Sequence, residues 1–189
     1  EQIKFFEQNH DSQFLFGYEE SYGCLEGTHA RDKDAVVAVM ALCEAAAWYR
    51  AQGVTLCEQM ERLYQAYGYY RENLCTVTLC GMDGAAQIRK ILEKIRKNPP
   101  EAIGDFQVVE FRDYQTGVRR EMANGQESPT GLPESNVLYF ELENSAWCCI
   151  RPSGTEPKVK YYAGVKGENK ADADMLLETL TAAVSKLVG

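Results

Sequence analysis

Histidine is nearly missing from the 189-residue chain: only His10 and His29 occur, too few for a histidine-rich metal centre. No apolar run approaches eighteen residues, the longest candidate being broken by Glu44, so no membrane-spanning helix is expected. Glu1 to Phe6 does not follow the basic-then-apolar pattern of a secretory signal. CxxC spacing is lacking too. The seven cysteines are odd in number and include the adjacent pair Cys148-Cys149, which predicts reduced, buried thiols in a cytoplasmic protein rather than a disulfide framework or a zinc site. Basic residues are in the minority, 20 against 28 acidic ones, for a net charge of −8. A nucleic-acid surface needs clustered Lys and Arg, so the charge argues against that partner class and any anion site must be a local pocket. The glycine signatures of nucleotide binders, G-x-x-x-x-G-K-[ST] and G-x-G-x-x-G, are absent as well, which ranks a general nucleotide-binding role low.

What is present describes an ordinary globular chain, 45% apolar and 25% charged, long enough for one large domain or two small ones. Glu1 to Gln8 reads as the end of a helix, followed by the turn Asn9-His10-Asp11-Ser12, a short strand Phe14-Leu15-Phe16 and a polar loop from Gly17. A helix from about Lys33 to Gln52, capped by Asp32 or a neighbour, is apolar around most of its circumference and is expected to lie between other elements. Gly53 ends it. Thr55 and Glu58 form a T-x-x-E capping box for a second helix, closed by Gly68. The stretch Gly68 to Arg71 is read as a junction between a first domain, 1–70, and a second, 71–189.

Beyond the junction the pattern changes to strands with two amphipathic helices. Leu74 to Leu79 alternates as a strand, and Ile88, Ile91, Leu92 and Ile95 make one helical stripe stopped by Asn98-Pro99-Pro100. Strands are expected near Phe106 to Arg112, Val137 to Leu142, Ala146 to Ile150 and Val159 to Val165, with Glu143-Asn144-Ser145 as a tight turn. Gly117 to Pro133 reads as a turn-rich surface excursion. A last helix carries Ala173, Leu176, Leu177, Leu180, Val184 and Leu187 on one stripe. The fold class expected is an α/β partial domain followed by an α+β domain, an antiparallel sheet flanked by two helices.

Two segments carry chemistry. Arg151-Pro152-Ser153-Gly154-Thr155-Glu156-Pro157-Lys158 lies between two expected strands. Arg151 offers a planar fork for bidentate pairing, Ser153 and Thr155 offer hydroxyls, and Gly154 lets backbone N–H groups turn inward. Lys158 and Lys160 follow at strand spacing and project from one face. The competing reading is a plain hairpin connection built from ordinary turn residues. The other segment, Gly17-Tyr18-Glu19-Glu20-Ser21-Tyr22-Gly23, sets two carboxylates and a hydroxyl in a glycine-bounded turn, where carboxylates accept hydrogen bonds from vicinal sugar hydroxyls. Its competing readings are a solvated loop and a glycoside-hydrolysing pair, the latter weakened because adjacent residues on an extended segment point oppositely.

The string R-P-S-G-T-E-P resembles the phosphate-binding loop in the C-terminal domain of the α-D-phosphohexomutases. Gly17 to Gly23 resembles the G-E-x-S sugar loop of the same family, and Arg31-Asp32-Lys33-Asp34 resembles the R-D-K-D segment of its phosphoglucomutase branch. The two loops stand about 130 residues apart in the order that family requires. The whole chain thus resembles the C-terminal half of a phosphoglucomutase-type phosphohexomutase, the end of domain 3 plus domain 4, the latter with a TATA-box-binding-protein-like sheet. The resemblance implies that Arg151, Ser153, Gly154 and Thr155 grip the non-transferring phosphate, with Lys160 where some members place a phosphate-binding Arg. It implies sugar contacts from Glu19 and Ser21 and an active-site position for Lys33. His29 alone reads as a helix-terminus or surface histidine. Tyr22-Gly23, where phosphomannomutase and phosphoglucosamine mutase branches commonly have His after the Ser, points to glucose phosphates.

The family reaction implied is a reversible phosphoryl transfer between carbons 1 and 6 of a hexose phosphate, through a phosphoserine, glucose 1,6-bisphosphate and Mg²⁺. The phosphoserine loop T-A-S-H-N-P and the metal loop D-G-D-x-D-R are absent from this sequence, Asp83-Gly84 being no substitute for three carboxylates. No catalytic residue and no metal ligand is therefore assigned here. The expected partners are the hexose phosphate and the N-terminal domains of the same protein, with neither nucleic acid nor membrane. Phosphomannomutase or phosphopentomutase activity, and a stand-alone sugar-phosphate binding module, are the alternatives.

Overall fold

The computed structural model describes residues 2–9, 12–19, 23–79, 84–153 and 157–189, with the side chains of Gln2 and Glu19 outside the description. The chain divides into two compact units, Glu1–Leu63 and Tyr64–Gly189.

In the first unit, helix α1 (Gln2–Asn9) is followed by a hairpin of β1 (Phe16–Glu19) and β2 (Gly23–Glu26), paired antiparallel from Phe16 opposite Glu26 to Glu19 opposite Gly23. The strand expected at Phe14 to Phe16 therefore starts two residues later, and Gly17 to Glu19 is strand rather than loop. Backbone pairing decides this, because Gly17 and Tyr18 find partners in Leu25 and Cys24. Helix α2 (Ala35–Ala51) begins at Asp34, whose carboxylate accepts from the backbone N–H of Val36 at 2.9 Å and of Val37 at 3.2 Å. Gly53, at φ +73°, supplies the left-handed residue just past its end. Val36, Val39, Met40, Leu42 and Trp48 are all exposed, so among the described residues this helix is not enclosed as its composition predicts. The unit has one two-stranded hairpin beside it, too little surface to cover an apolar circumference. Helix α3 (Leu56–Tyr67) opens on the expected capping box: Glu58 N–H donates to Thr55 Oγ1 at 3.2 Å, and Thr55 N–H to Glu58 Oε2 at 2.7 Å.

The end of α3 belongs to the second unit. Tyr64 stacks on Tyr69 with ring centroids 5.4 Å apart, and the Arg71 guanidinium lies 5.2 Å from the Tyr64 ring. Gly68, at φ +108°, makes the tight reversal between them. Then come β3 (Tyr69–Thr78), α4 (Gly84–Lys97), β4 (Ala102–Ile103), β5 (Phe106–Asp113), β6 (Val118–Glu121), β7 (Glu127–Pro129), β8 (Leu138–Leu142), β9 (Trp147–Pro152), β10 (Lys158–Gly167) and α5 (Lys170–Val188). The antiparallel sheet runs in the order β3-β10-β9-β8-β5-β6-β7, with β4 paired to β5 off this path. Gly117 to Pro133 is thus no mere excursion: it carries the β6–β7 hairpin, stitched by Arg120 opposite Glu127 with an ion pair at 2.7 Å.

Alternation along the strands buries one face. Val159, Tyr161, Ala163 and Val165 of β10, Cys148 and Ile150 of β9, and Leu138, Phe140 and Leu142 of β8 join Ile88, Leu92 and Ile95 of α4 and Leu180, Val184 and Val188 of α5 in one core. Both helices cover that face, the two-layer arrangement expected. The opposite face carries Tyr139 stacked on Trp147, and Arg112 lying 4.9 Å from the Tyr139 ring. There Glu110, 4% exposed, is paired with Arg112 and Arg119, which is how a buried carboxylate is tolerated. Burial pushes the Cys148 thiol well up, with the neighbouring Cys149 adding to it, so Cys148 is an inert core residue. Cys43 and Cys57 are exposed, so burial of the thiols holds for Cys148 and not for the set. Among the described residues no helix is long and apolar enough to cross a membrane.

Candidate functional site

The 151–158 segment joins β9 to β10, which lie third and second in the sheet order, next to the edge strand β3. Strands β9 and β10 pair Pro152 with Val159 and Arg151 with Lys160, and the loop's neck is closed by Ser153 N–H donating to the Lys158 carbonyl at 2.8 Å. Arg151 and Lys160 therefore stand directly opposite each other, both exposed, with no ion pair to either among the described residues. Two cations facing each other across a ladder destabilise it by a few tenths of a kcal/mol, roughly up to 1. An anion between them would reverse the sign. Arg151 supplies a planar bidentate fork and Lys160 a mobile point charge.

On its other side β10 pairs with β3, setting Thr76 opposite Lys160 and Thr78 opposite Lys158. Thr76, Lys160 and Arg151 thus form an exposed row across three strands. Thr76 escapes a sequence reading, because register between strands some eighty residues apart leaves no local signal. Of the remaining candidates, Gly154 and Thr155 lie outside the described residues, as does Glu156.

The Gly17 to Gly23 segment belongs to the first unit. Its flanks are the β1–β2 hairpin; Ser21 and the side chain of Glu19 lie outside the described residues, as do Glu20 and Tyr22. Lys33 is brought to it. A Cβ built on Gly23 would overlap Cγ and Cδ of Lys33 and stand 3.0 Å from its Cβ, so the lysine stem crosses the backbone where the segment ends. The approach is fixed by Asp34 N–H donating to the Cys24 carbonyl at 3.2 Å, which hangs the residues before α2 on β2. A shallow cavity of about 200 Å³ is lined there by Gly17, Tyr18, Gly23, Arg31 and Lys33, among others. His29 lies 3.8 Å from the Asp34 carboxylate at the start of α2, a helix-terminus histidine. The segment Arg31 to Lys33 is further held by Arg31, whose guanidinium donates to both carboxylate oxygens of Glu7 at 2.9 and 2.7 Å.

Replacing Gly23 with Ala should push the Lys33 stem aside. In a longer enzyme carrying this segment, Gly23→Ala is expected to lower kcat/KM about tenfold. The double variant with Lys33→Ala should be no worse than Lys33→Ala alone. Additive losses would show that Gly23 acts elsewhere.

Among the described residues no three His, Cys, Asp or Glu side chains are grouped to hold a metal ion, and Asp83 lies outside them. Mg²⁺ therefore finds no fitting donor set among the described residues.

Residues 3–67 match the family model described as phosphoglucomutase/phosphomannomutase, alpha/beta/alpha domain III. Over 156 residues the chain is 34% identical to a phosphoglucomutase of Staphylococcus haemolyticus, a match covering 82% of this chain and 28% of that protein. Over 158 residues it is 37% identical to a Staphylococcus aureus phosphoglucomutase, covering 84% of this chain and 28% of the relative. The chain therefore spans little more than a quarter of the length of these relatives. Its fold is similar to the open form of the exocytosis-sensitive phosphoprotein pp63/parafusin, a phosphoglucomutase from Paramecium: TM-score 0.55, 15% identity, 90% of this chain and 30% of that one. Residues 3–67 thus match domain III of the phosphoglucomutase/phosphomannomutase family, and the similarity to phosphoglucomutases runs on through most of the remaining sequence.

Proposed function

We propose that this chain is the part of a cytoplasmic phosphoglucomutase that holds the sugar and the non-transferring phosphate while glucose 1-phosphate and glucose 6-phosphate are interconverted. The observation that carries this reading is the register pair Arg151 and Lys160, two exposed cations opposed at the neck of the 153–158 loop in a protein of net charge −8. Such a juxtaposition is unfavourable alone and favourable around a phosphate dianion. Ser153, Gly154 and Thr155 complete the grip in this reading. Glu19 and Ser21 bind sugar hydroxyls, with Lys33 lying alongside.

The chain contributes positioning and charge stabilisation, which form the larger part of catalysis in phosphoryl transfer. Phosphoserine chemistry and Mg²⁺ belong to the rest of the protein, and a glucose 1,6-bisphosphate intermediate would present each phosphate to Arg151 in turn. The 189-residue chain alone is accordingly expected to be inactive, and the longer enzyme containing it active. A coupled assay of glucose 6-phosphate formation from glucose 1-phosphate tests both statements. Turnover by the pure 189-residue chain contradicts the first, and none by the longer enzyme on any hexose 1-phosphate contradicts the second.

A further inference from the structure

We propose that Gly84 is a positioning residue for the phosphate loop, because only a residue without a side chain lets the first turn of α4 close on Leu79 and Pro157. The inference deepens the phosphate-binding reading above and rests on it. Gly84 is buried at the start of α4. A Cβ built there would overlap the Leu79 carbonyl oxygen and approach the Leu79 carbonyl carbon to 3.2 Å and Pro157 Cβ to 3.1 Å. These are backbone atoms and a proline ring, neither of which can swing away as a flexible side chain does.

The contact matters because of where Pro157 lies. Strand β3 leaves the ladder at Thr78 opposite Lys158, and the next residue, Leu79, donates its N–H to the Pro157 carbonyl at 3.0 Å. Pro157 is the C-terminal limb of the loop. One residue further on, Lys158 accepts the Ser153 N–H that closes the neck. The limb is thus hung on β3 through Leu79 and backed by Gly84. A methyl group at position 84 must be accommodated by moving Leu79, Pro157 or the helix start, and each of these displaces the limb. Misplacing a binding group by about 1 Å can cost a factor on the order of 100.

A role confined to helix packing would lower stability without touching affinity. Gly167 supplies the control: it lies at the far end of β10, where an added Cβ would come within 2.7 Å of Ala173 Cα and 2.8 Å of its Cβ. Calorimetric titration of the 189-residue chain with glucose 6-phosphate, with a thermal melt of each variant, separates the two roles. Gly84→Ala is expected to raise Kd about tenfold or more, and Pro157→Gly, which removes the ring packed on Gly84, to do the same. Gly167→Ala should lose as much Tm as Gly84→Ala yet bind within about twofold of the unaltered chain. Unchanged Kd in Gly84→Ala overturns the proposal, as does an equal loss of affinity in Gly167→Ala. Should Gly84→Ala fail to fold, Pro157→Gly decides, and wild-type affinity in it overturns the proposal. Failure of the unaltered chain to bind glucose 6-phosphate overturns the phosphate-binding reading itself and the inference with it, a result distinct from the variant outcomes.

Discussion

Replacing Arg151 by Ala is expected to remove most of the affinity for a sugar phosphate, with a loss of about 100-fold. A guanidinium bonded to a phosphate makes two charge-assisted hydrogen bonds, each worth roughly 1.5–3 kcal/mol, and the truncated site keeps only part of that sum in Lys160 and backbone groups. Every factor of ten is about 1.4 kcal/mol, so a net loss near 3 kcal/mol gives the stated factor. Arg151→Lys keeps the charge but loses the fork, and should fall between the two, near tenfold. Stability should move little or even rise in Arg151→Ala, since the change removes one of two cations facing each other across the ladder. Titration with glucose 6-phosphate and a thermal melt check both halves. Wild-type affinity in Arg151→Ala would leave the loop as a hairpin connection and nothing more.

The largest effect on stability is expected at Asp113. Its carboxylate accepts from Arg96 Nε at 3.1 Å, Gln115 N–H at 3.1 Å and Thr116 Oγ1 at 2.9 Å, and it ties the end of α4 to the end of β5. The side chain is 5% exposed and that of Arg96 15%, so this is an ion pair largely withdrawn from water. Removing one partner of such a pair strands the other. Asp113→Ala should therefore cost about 3 kcal/mol, toward the lower end of the range for broken buried pairs because Arg96 also donates to Asn136. In a chain of this size that corresponds to a fall in Tm of roughly 10 °C. Asp113→Asn keeps an acceptor oxygen for Gln115 N–H and turns an amide N–H toward Thr116 Oγ1, which can accept it, and should recover about half. A shift of less than about 2 °C in Asp113→Ala would mean that the pair is solvated in practice.

Signals confined to a few consecutive residues were legible in the sequence. The Thr55–Glu58 box, the Ile88, Leu92 and Ile95 stripe, and the Glu143 to Ser145 reversal each depend on neighbours within about one helical or hairpin turn, and each stands where the residues point. Where the outcome depends on a distant partner, composition misleads. Phe14-Leu15-Phe16 has the apolar run of a strand, yet β1 begins only at Phe16, because Gly23 to Glu26 offers pairing partners to Phe16 through Glu19. Gly117 to Pro133 is rich in turn residues, yet Val118 to Glu121 pairs with β5 through its backbone, which needs little from side chains. The apolar circumference of α2 is real, but the described residues of its unit do not enclose it.

The candidate site divides along the same line. Arg151, Ser153 and Lys160 could be named from a contiguous string, since the neck of a hairpin loop is a local object. Thr76 could not, because it reaches the row only through the β3–β10 register. Nor could the two glycines that shape the loops. Nothing near Gly23 in sequence says that Lys33 will cross it, and nothing near Gly84 says that Pro157 will close on it.

The central claim, that Arg151 and its neighbours hold a sugar phosphate, is tested most directly by following backbone amide chemical shifts of the 189-residue chain as glucose 6-phosphate is added. The account predicts saturable shifts at Arg151, Ser153 and Lys160, reversed by competing inorganic phosphate and weakened by added salt as screened charges require. Unmoved signals at Arg151, Ser153 and Lys160 at high ligand concentration would contradict it.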